Sequence, residues 1–475
     1  MKQQGISRRG FITGVAATAG TVMVLTKPVW GANDKVNLAA IGCSGKGGSD
    51  IGDATGCGAN IVALCDVEEK HIAGQKKGHP EAKVYKDFRK MLDEMDKEID
   101  AVTVSTPDHT HFPASCAAAM RGKHVFTQKP MTHSVWEARR LAQIAREKKI
   151  ATLMGIQGHA NEGARLLCEW VWDGAIGNVT EVHYVTNRPI WPQGIDRPKE
   201  GKPVPAGFDW DLWLNVAQER PYHDAYCPFR WRGWWDFGCG ALGDIGCHVM
   251  DATFWALDLR NPTSIQAENS DQHEETAPKS CVLTYQFPAR GAMPPIKVVW
   301  HDGVPGSDKD DKNKKRPRPV ELEAERTLPN ETYAYLVGDK GTLLHDFYCG
   351  YARIIPEGKH KDSGVTKIEK KIPRSPGHMR EWINACKGGP AVGATWEYAA
   401  ALTEMVNLGN FAVRSGKTVQ WDAKNMKCTN LPETNKWLKR EPRKGWDEYY
   451  KGPDVPEPPQ PLLGLAAAKE YGCIK

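Results

Sequence analysis

Val36-Asn-Leu-Ala-Ala-Ile41, running straight into Gly42-Cys-Ser-Gly45-Lys-Gly47-Gly48, decides how this chain is read. The first six residues form an apolar run of the length of a buried strand. Glycines after such a strand let the backbone turn tightly and approach a pyrophosphate, while the next helix presents its N-terminus to the anion. A second apolar run, Ile61–Cys65, ends in Asp66, 24 residues after Gly42. Dinucleotide-binding folds place the carboxylate for the adenosine ribose roughly 20 residues after the first glycine. A carboxylate there accepts hydrogen bonds from ribose hydroxyls and repels a 2′-phosphate, so NAD is expected rather than NADP. Position 44 is Ser, so the loop departs from G-x-G-x-x-G, and Lys46 lacks the following Ser or Thr of a P-loop. Gly42, Ser44, Gly45, Lys46, Gly47 and Asp66 are the expected cofactor contacts of this stretch.

Working outward, Phe88–Met95 reads as helix and Ile99–Ser105 as another buried strand. That strand ends in Thr106-Pro107-Asp108-His109-Thr110-His111. Loops at strand C-termini line the ligand crevice of such sheets, which makes Thr106, Pro107, His109 and His111 candidates for the cofactor site. Lys123–Phe126 is a short strand, followed by Thr127-Gln128-Lys129-Pro130 and an amphipathic helix over Ser134–Lys148. Alternating strand and helix predicts a Rossmann-type, doubly wound parallel sheet over 33–155. Glu181–Asn187, Cys281–Phe287, Lys297–His301 and Tyr333–Val337 read as strands with few helices between them. They predict an α+β domain over 156–475 with a large, open, mostly antiparallel sheet.

The bulk composition agrees. A chain of 475 residues exceeds one ordinary core and implies two or three domains. Charged residues at 25% and hydrophobic ones at 40% are ordinary for a soluble globular protein. Four of the net five positive charges sit in residues 1–32, which contain no acid, so the remainder carries +1. That balance argues against nucleic acid as a partner. The 13 cysteines form no CxxC pair, and no metal site is signalled.

Ser7-Arg8-Arg9-Gly10-Phe11-Ile12 precedes a mildly apolar run, Gly14–Leu25, of 12 residues. It is too short to span a bilayer and fits the h-region of a cleaved signal. The paired arginines resemble a twin-arginine export signal, which places a leader at 1–32 and the mature protein in the periplasm or otherwise outside the cytoplasm. No later segment reaches the ~18 apolar residues of a spanning helix. Export by that route carries folded proteins, so a nicotinamide cofactor would be loaded beforehand and held tightly.

Together the glycine loop, Asp66, Thr106–His111, Gly122-Lys-His-Val, Gln128-Lys129-Pro130 and Gly243-Asp244-Ile-Gly246-Cys-His248 resemble the glucose–fructose oxidoreductase / inositol dehydrogenase / MocA family. Trp382–Gly389 and Leu408-Gly-Asn extend the resemblance towards the C-terminus, and the leader matches the family's exported branch. The family usually has Glu-Lys-Pro where this chain has Gln128-Lys129-Pro130, with a cis peptide before the proline. The resemblance implies NAD(P)-dependent chemistry on a sugar CH–OH group, with Lys129, Asp244 and His248 catalytic and Gln128 and Lys129 also touching the cofactor. It further implies a dimer or tetramer through the second domain's sheet.

That chemistry suits those residue types. A base must take the hydroxyl proton as hydride leaves, and a positive group must steady the developing alkoxide. His248 suits the base role, with Lys129 donating to the reacting oxygen or sharing that role. Asp244 lies four residues before His248, a spacing that on a helix puts both on one face and lets Asp244 orient the imidazole or bind a sugar hydroxyl. Trp191, Trp210, Trp213, Trp231, Trp234 and Trp235 crowd into the 45 residues 191–235, just ahead of Gly243, with Tyr222, Tyr226 and Phe229. Flat rings stack on sugar C–H faces, although most such Trp pack a core. Arg188, Arg230, Arg232 and His223 lie among them, suited to a carboxylate or sulfate. His223, Arg232, Trp234 and Trp235 are the expected substrate contacts. A redox-neutral glycoside hydrolase that oxidises C3 transiently would need the same residues, and a non-catalytic sugar-binding protein would need none of them.

Overall fold

The structure, a computed structural model, describes residues 35–303, 317–326, 328 and 332–459. The expected leader lies outside the described residues, as does most of 305–319, a stretch with Lys-Asp-Asp-Lys-Asn-Lys-Lys-Arg and no apolar spacing, which reads as a solvated loop. Six strands build the first sheet: β1 (Asn37–Ile41), β2 (Asn60–Cys65), β3 (Lys83–Tyr85), β4 (Ala101–Val104), β5 (His124–Thr127) and β6 (Thr152–Met154). They run parallel in the order β3-β2-β1-β4-β5-β6. Strands covered on both faces need continuous apolar runs, and β4 is buried along its whole length. The strand order turns back between β1 and β4, and ligands bind such sheets at that point, beyond the carboxyl ends.

Nine strands build the second sheet: β7 (Val179–Val185), β8 (Ser264–Asn269), β9 (Cys281–Phe287), β10 (Ile296–His301), β11 (Tyr333–Gly338), β12 (Thr342–Asp346), β13 (Ala352–Ile355), β14 (Val419–Asp422) and β15 (Lys427–Cys428). Their order is β13-β12-β11-β7-β10-β9-β8-β14-β15. Among the described residues only β7 and β10 pair in parallel in this sheet; the other pairs are antiparallel. The expected fold class, a parallel Rossmann sheet followed by a mostly antiparallel one, is the one observed.

The two halves are tied by chain that returns late. The described residues form one compact unit. The long buried helix Trp396–Ser415 packs on Val135–Lys148, where the Arg139 Nε and Nη2 donate to Glu404 Oε2 and Oε1, both at 2.7 Å. Both partners are buried, and removing one member of such a pair costs about 3–5 kcal/mol. Met154 N at the end of β6 donates to Ala394 O, and Arg380 donates to Gly56 O and Cys57 O where the helix Lys46–Gly56 ends. Chain beyond residue 378 therefore packs against the first sheet as well as the second. The loop before Trp210 does the same: Glu69 N donates to Gly207 O, and Asp209 N to Val67 O, closing over the end of β2. The 12 cysteines among the described residues are free.

Candidate active site

A cavity of about 830 Å³ opens at the carboxyl ends of the parallel strands. Ser44, Gly45, Lys46, Asp66, Thr106, Pro107 and Gln128 line one wall, while Arg188, Trp231, Arg232, Asp244 and His248 line the other. Lys129 lies where the two meet.

The nucleotide side is shaped by close backbone approach. Gly42 has φ +91°, and a Cβ there would lie 2.3 Å from Ser105 O. A Cβ on Gly47 would lie 2.2 Å from Gly42 O. Gly47 thus closes the turn by packing on Gly42 and does not line the cavity. Gly45 starts the helix Lys46–Gly56, and no side chain caps that terminus. An uncapped N-terminus at a cavity offers N–H donors to an anion. Asp66 Oδ2 accepts from Cys43 N at 2.8 Å, and its Oδ1 accepts from Glu68 N at 2.9 Å with His71 Nδ1 at 3.3 Å. The loop thereby holds the carboxylate in a fixed position. Phe208 and Trp446 enclose this end of the cavity. Glycine turn, open helix terminus and fixed carboxylate fit a dinucleotide.

Gln128 faces that helix. Its Nε2 donates to Asp50 Oδ2 at 2.8 Å, and Asp50 also accepts from Ser105 Oγ at 2.7 Å and Lys46 Nζ at 2.5 Å. Burial raises the pKa of Asp50, against the lowering influence of Lys46. A Glu at 128 would set a second carboxylate against Asp50, whereas an amide donates to it. This accounts for Gln where the family usually carries Glu.

Lys129 precedes Pro130 through a cis peptide. Its Nζ donates to Asp244 O at 2.7 Å and to Asp244 Oδ1 at 2.9 Å. Asp244 sits in a single π-turn, Leu242–Gly246, a rare geometry that recurs at functional sites. Burial alone would raise its pKa, but Lys129 and Arg232 outweigh it and hold the carboxyl at about 2. Arg232 Nε donates to the same Oδ1 at 3.1 Å. The Asp244 carboxylate is therefore taken up by Lys129 and Arg232, and its hydrogen bonds orient the lysine rather than the imidazole. His248 follows in the helical turn Cys247–Val249, buried, with Nδ1 unpartnered and its ring edge on Phe347 and Tyr348. Burial, then Lys129, pushes its pKa well below the usual value, so the imidazole is neutral near pH 7.

Other expected contacts fall elsewhere. His109 and His111 are buried off the cavity. The His109 ring lies between Phe237 O and Trp213 O, packed on both of those side chains. The His111 ring nitrogens reach Pro130 O and Thr106 O, each at 2.8 Å, and brace the Lys129–Pro130 turn against the β4 loop. Trp234 is fully buried in an aromatic core with Trp213, Tyr226 and Phe237, its Nε1 donating to Ala225 O. Trp235 is buried beside Arg414, and His223 accepts from Ala225 N; neither lines the cavity. A run of aromatic residues cannot say which rings face inward, because a core and a pocket recruit the same residue types. Arg232, Trp231, Trp213, Tyr222 and Phe229 do line it. Phe347, Tyr348, Gln157 and Trp446 complete the wall from loops that carry no motif.

Residues 36–155 match the family model described as "Oxidoreductase family, NAD-binding Rossmann fold", and 178–292 match its C-terminal alpha/beta domain. Levoglucosan dehydrogenase of Pseudarthrobacter phenanthrenivorans is 26% identical over 166 residues, 35% of this chain and 34% of that protein. D-glucoside 3-dehydrogenase of Escherichia coli is 23% identical over 357 residues, 73% of this chain and 86% of that protein. The matched segments span 34%, 52% and 40% of the first three curated relatives. Among solved structures, the WlbA dehydrogenase from Bordetella pertussis in complex with NADH and UDP-GlcNAcA superposes with a TM-score of 0.56 at 16% identity, covering 82% of this chain and 99% of that one. Levoglucosan dehydrogenase in complex with NADH and levoglucosan gives 0.53 at 15% identity, with coverage of 82% and 99%. These likenesses share the two-sheet fold. With both of its domain models matched in order, over residues 36–155 and 178–292, this chain belongs to the Gfo/Idh/MocA oxidoreductase family.

Proposed function

We propose that this protein is an NAD-dependent oxidoreductase acting on a CH–OH group of a sugar or sugar derivative, with its cofactor tightly held. The observation that carries this reading is the meeting of Lys129, Asp244 and His248 on the cavity that the glycine loop and Asp66 also line. Relatives named as levoglucosan, inositol and glucoside dehydrogenases support it. Bound NAD supplies the acceptor for the hydride leaving the carbinol carbon. The chain's residues handle the proton. The ammonium of Lys129 has three N–H donors and spends two on Asp244, so one remains for the reacting oxygen. The neutral His248 takes the hydroxyl proton, and the Asp244 carboxylate steadies the added positive charge. Acid–base help of this kind is worth roughly 10²–10⁴ in rate.

The test is direct. Protein purified without added nucleotide is expected to release NAD(H) on denaturation, and to show a net nicotinamide absorbance change with free sugars. A cofactor-free preparation that cannot be loaded with NAD would overturn the reading. So would cleavage of aryl glycosides without any net absorbance change. The twin-arginine pair Arg8-Arg9 and the short apolar run after it support export of the loaded enzyme. Retention in the cytoplasm by wild type, as by R8K/R9K, would sink that part. Pairing of chains through the open face of the nine-stranded sheet, which presents Glu181, His183, Lys297 and His301, completes the proposal. A monomer by light scattering would remove it.

A further inference from the structure

Charge on the second wall of the cavity exceeds what its own residues neutralise. Arg188 and Arg232 line it with Lys129 at its edge, and Asp244 and Asp108 are the acids that line the cavity with them. Asp244 is shared among all three cations, with Arg188 Nε 3.8 Å from its Oδ2 and beyond hydrogen-bonding reach. Asp108 is buried and its Oδ2 accepts from Cys239 N; burial pushes its pKa up to about 7, so at neutral pH it supplies only part of a charge. The glycine loop and Lys46 on the opposite wall answer for the phosphates of a dinucleotide, so Arg188 and Arg232 are left over.

Both arginines are set up as anion ligands. The Arg188 Nη1 donates to Asn187 Oδ1 at 2.6 Å, which orients the guanidinium, while its buried Nε makes no hydrogen bond and has only the longer ion pair to Asp244. Arg232 is fixed by aromatic faces, its guanidinium 4.3 Å from the Trp231 ring centre and 5.1 Å from that of Phe229. A planar fork held in this way pairs with a carboxylate or sulfate far better than a mobile lysine does. Phe229 and Tyr348 line the same cavity and remain 46% and 39% exposed, giving apolar ring faces beside the cations.

Building on the sugar reading above, we propose that the substrate is an anionic sugar, carrying a uronate carboxylate or a sulfate ester that Arg188 and Arg232 hold. Arg188 selects the anion, and Lys129 and His248 act on a hydroxyl of the same ring or its neighbour.

The experiment uses the NAD-loaded enzyme with D-glucuronate, D-galacturonate, glucose 6-sulfate and galactose 6-sulfate, against neutral D-glucose and D-galactose. Binding is read by calorimetry and turnover by nicotinamide absorbance, separately. Anionic sugars are expected to bind at least about tenfold more tightly than their neutral counterparts, as for a charge-assisted hydrogen bond. Preference for the uronates or for the sulfate esters identifies which oxyanion is held. Arg188→Met should erase the preference, and Arg188→Lys, which keeps charge but loses the fork, should restore only part of it. Equal or tighter binding of the neutral sugars, or binding of none of the six, overturns the proposal. A preference that survives in a folded Arg188→Met protein also overturns it. Turnover of neutral sugars alone would remove this inference and leave the oxidoreductase reading standing. Arg188-dependent binding of an anionic sugar without hydride transfer would do the reverse.

Discussion

Lys129 Nζ donates both to the main-chain carbonyl and to the carboxylate of Asp244, at 2.7 and 2.9 Å, across 115 residues of sequence. The contact joins the end of the β5 loop to the π-turn of the second domain. It fixes a lysine that otherwise has four rotatable bonds, and it leaves one of the three ammonium donors unspent.

Lys129→Met should therefore lower kcat by about two orders of magnitude or more, the range for a lost acid–base or charge-stabilising group. Asp244→Asn keeps a hydrogen-bond acceptor but loses the charge that holds Lys129 and Arg232. It should lower kcat less than Lys129→Met and should not reduce bound NAD. Single-turnover kinetics on the loaded enzyme check both; wild-type rates in Lys129→Met would remove the lysine from the site.

The Gln128–Asp50 contact predicts a reciprocal pair. Gln128→Glu should destabilise the protein on the order of 2 kcal/mol, because two carboxylates then share a buried position. Asp50→Asn in the same chain should recover most of the loss. Unfolding midpoints of the two single variants and the double variant measure the coupling. Additive effects would mean that the contact sets nothing.

Asp66 accepts from Cys43 N and Glu68 N, so its charge is fixed where an adenosine ribose would lie. Asp66→Ser should raise affinity for NADP relative to NAD by roughly an order of magnitude or more, equivalent to about 1.4 kcal/mol of relieved repulsion. Titration of cofactor-stripped protein with each nucleotide gives the ratio, and an unchanged ratio would place the discrimination elsewhere.

Stability should fall on acidification. Burial lowers the pKa of His109 to about 3 and that of His111, His301 and His378 to about 4, from the ordinary 6.5. Below pH 6.5 the unfolded chain takes up protons that the folded one refuses, so stability present above 6.5 is lost progressively towards pH 4. Asp108 and Asp302, raised by burial to about 7 and 6, act in the opposite sense, the first across that whole window and the second across most of it. Four imidazoles against two carboxyls leave the net slope with the histidines. Chemical denaturation at pH 7 and pH 5 should give the lower unfolding free energy at pH 5; the reverse order would mean that these rings are charged in the fold.

Local signals in the sequence were enough for β1, β2, β4 and β5 of the first sheet, while β3 and β6, three residues each, are too short to carry one. Apolar runs such as Ile61–Cys65 must be buried strands, and glycines at 42 and 47 are required because any Cβ would strike backbone. Lys129, Asp244 and His248 could be singled out because contiguous motifs carry them in the family's order, and the structure brings all three to one cavity. Polar strands such as β8, with the sequence SIQAEN, carry no such signal, since pairing to β9 and β14 holds them in place. Only the tertiary structure could sort the aromatic stretch, sealing Trp234 inside the core while Trp231, in the same core cluster, also lines the cavity, because spacing does not record which face a ring turns inward. Asp244 shows the division most plainly. Its four-residue spacing from His248 is a property of the sequence, but the π-turn and a lysine 115 residues away determine that its charge steadies Lys129.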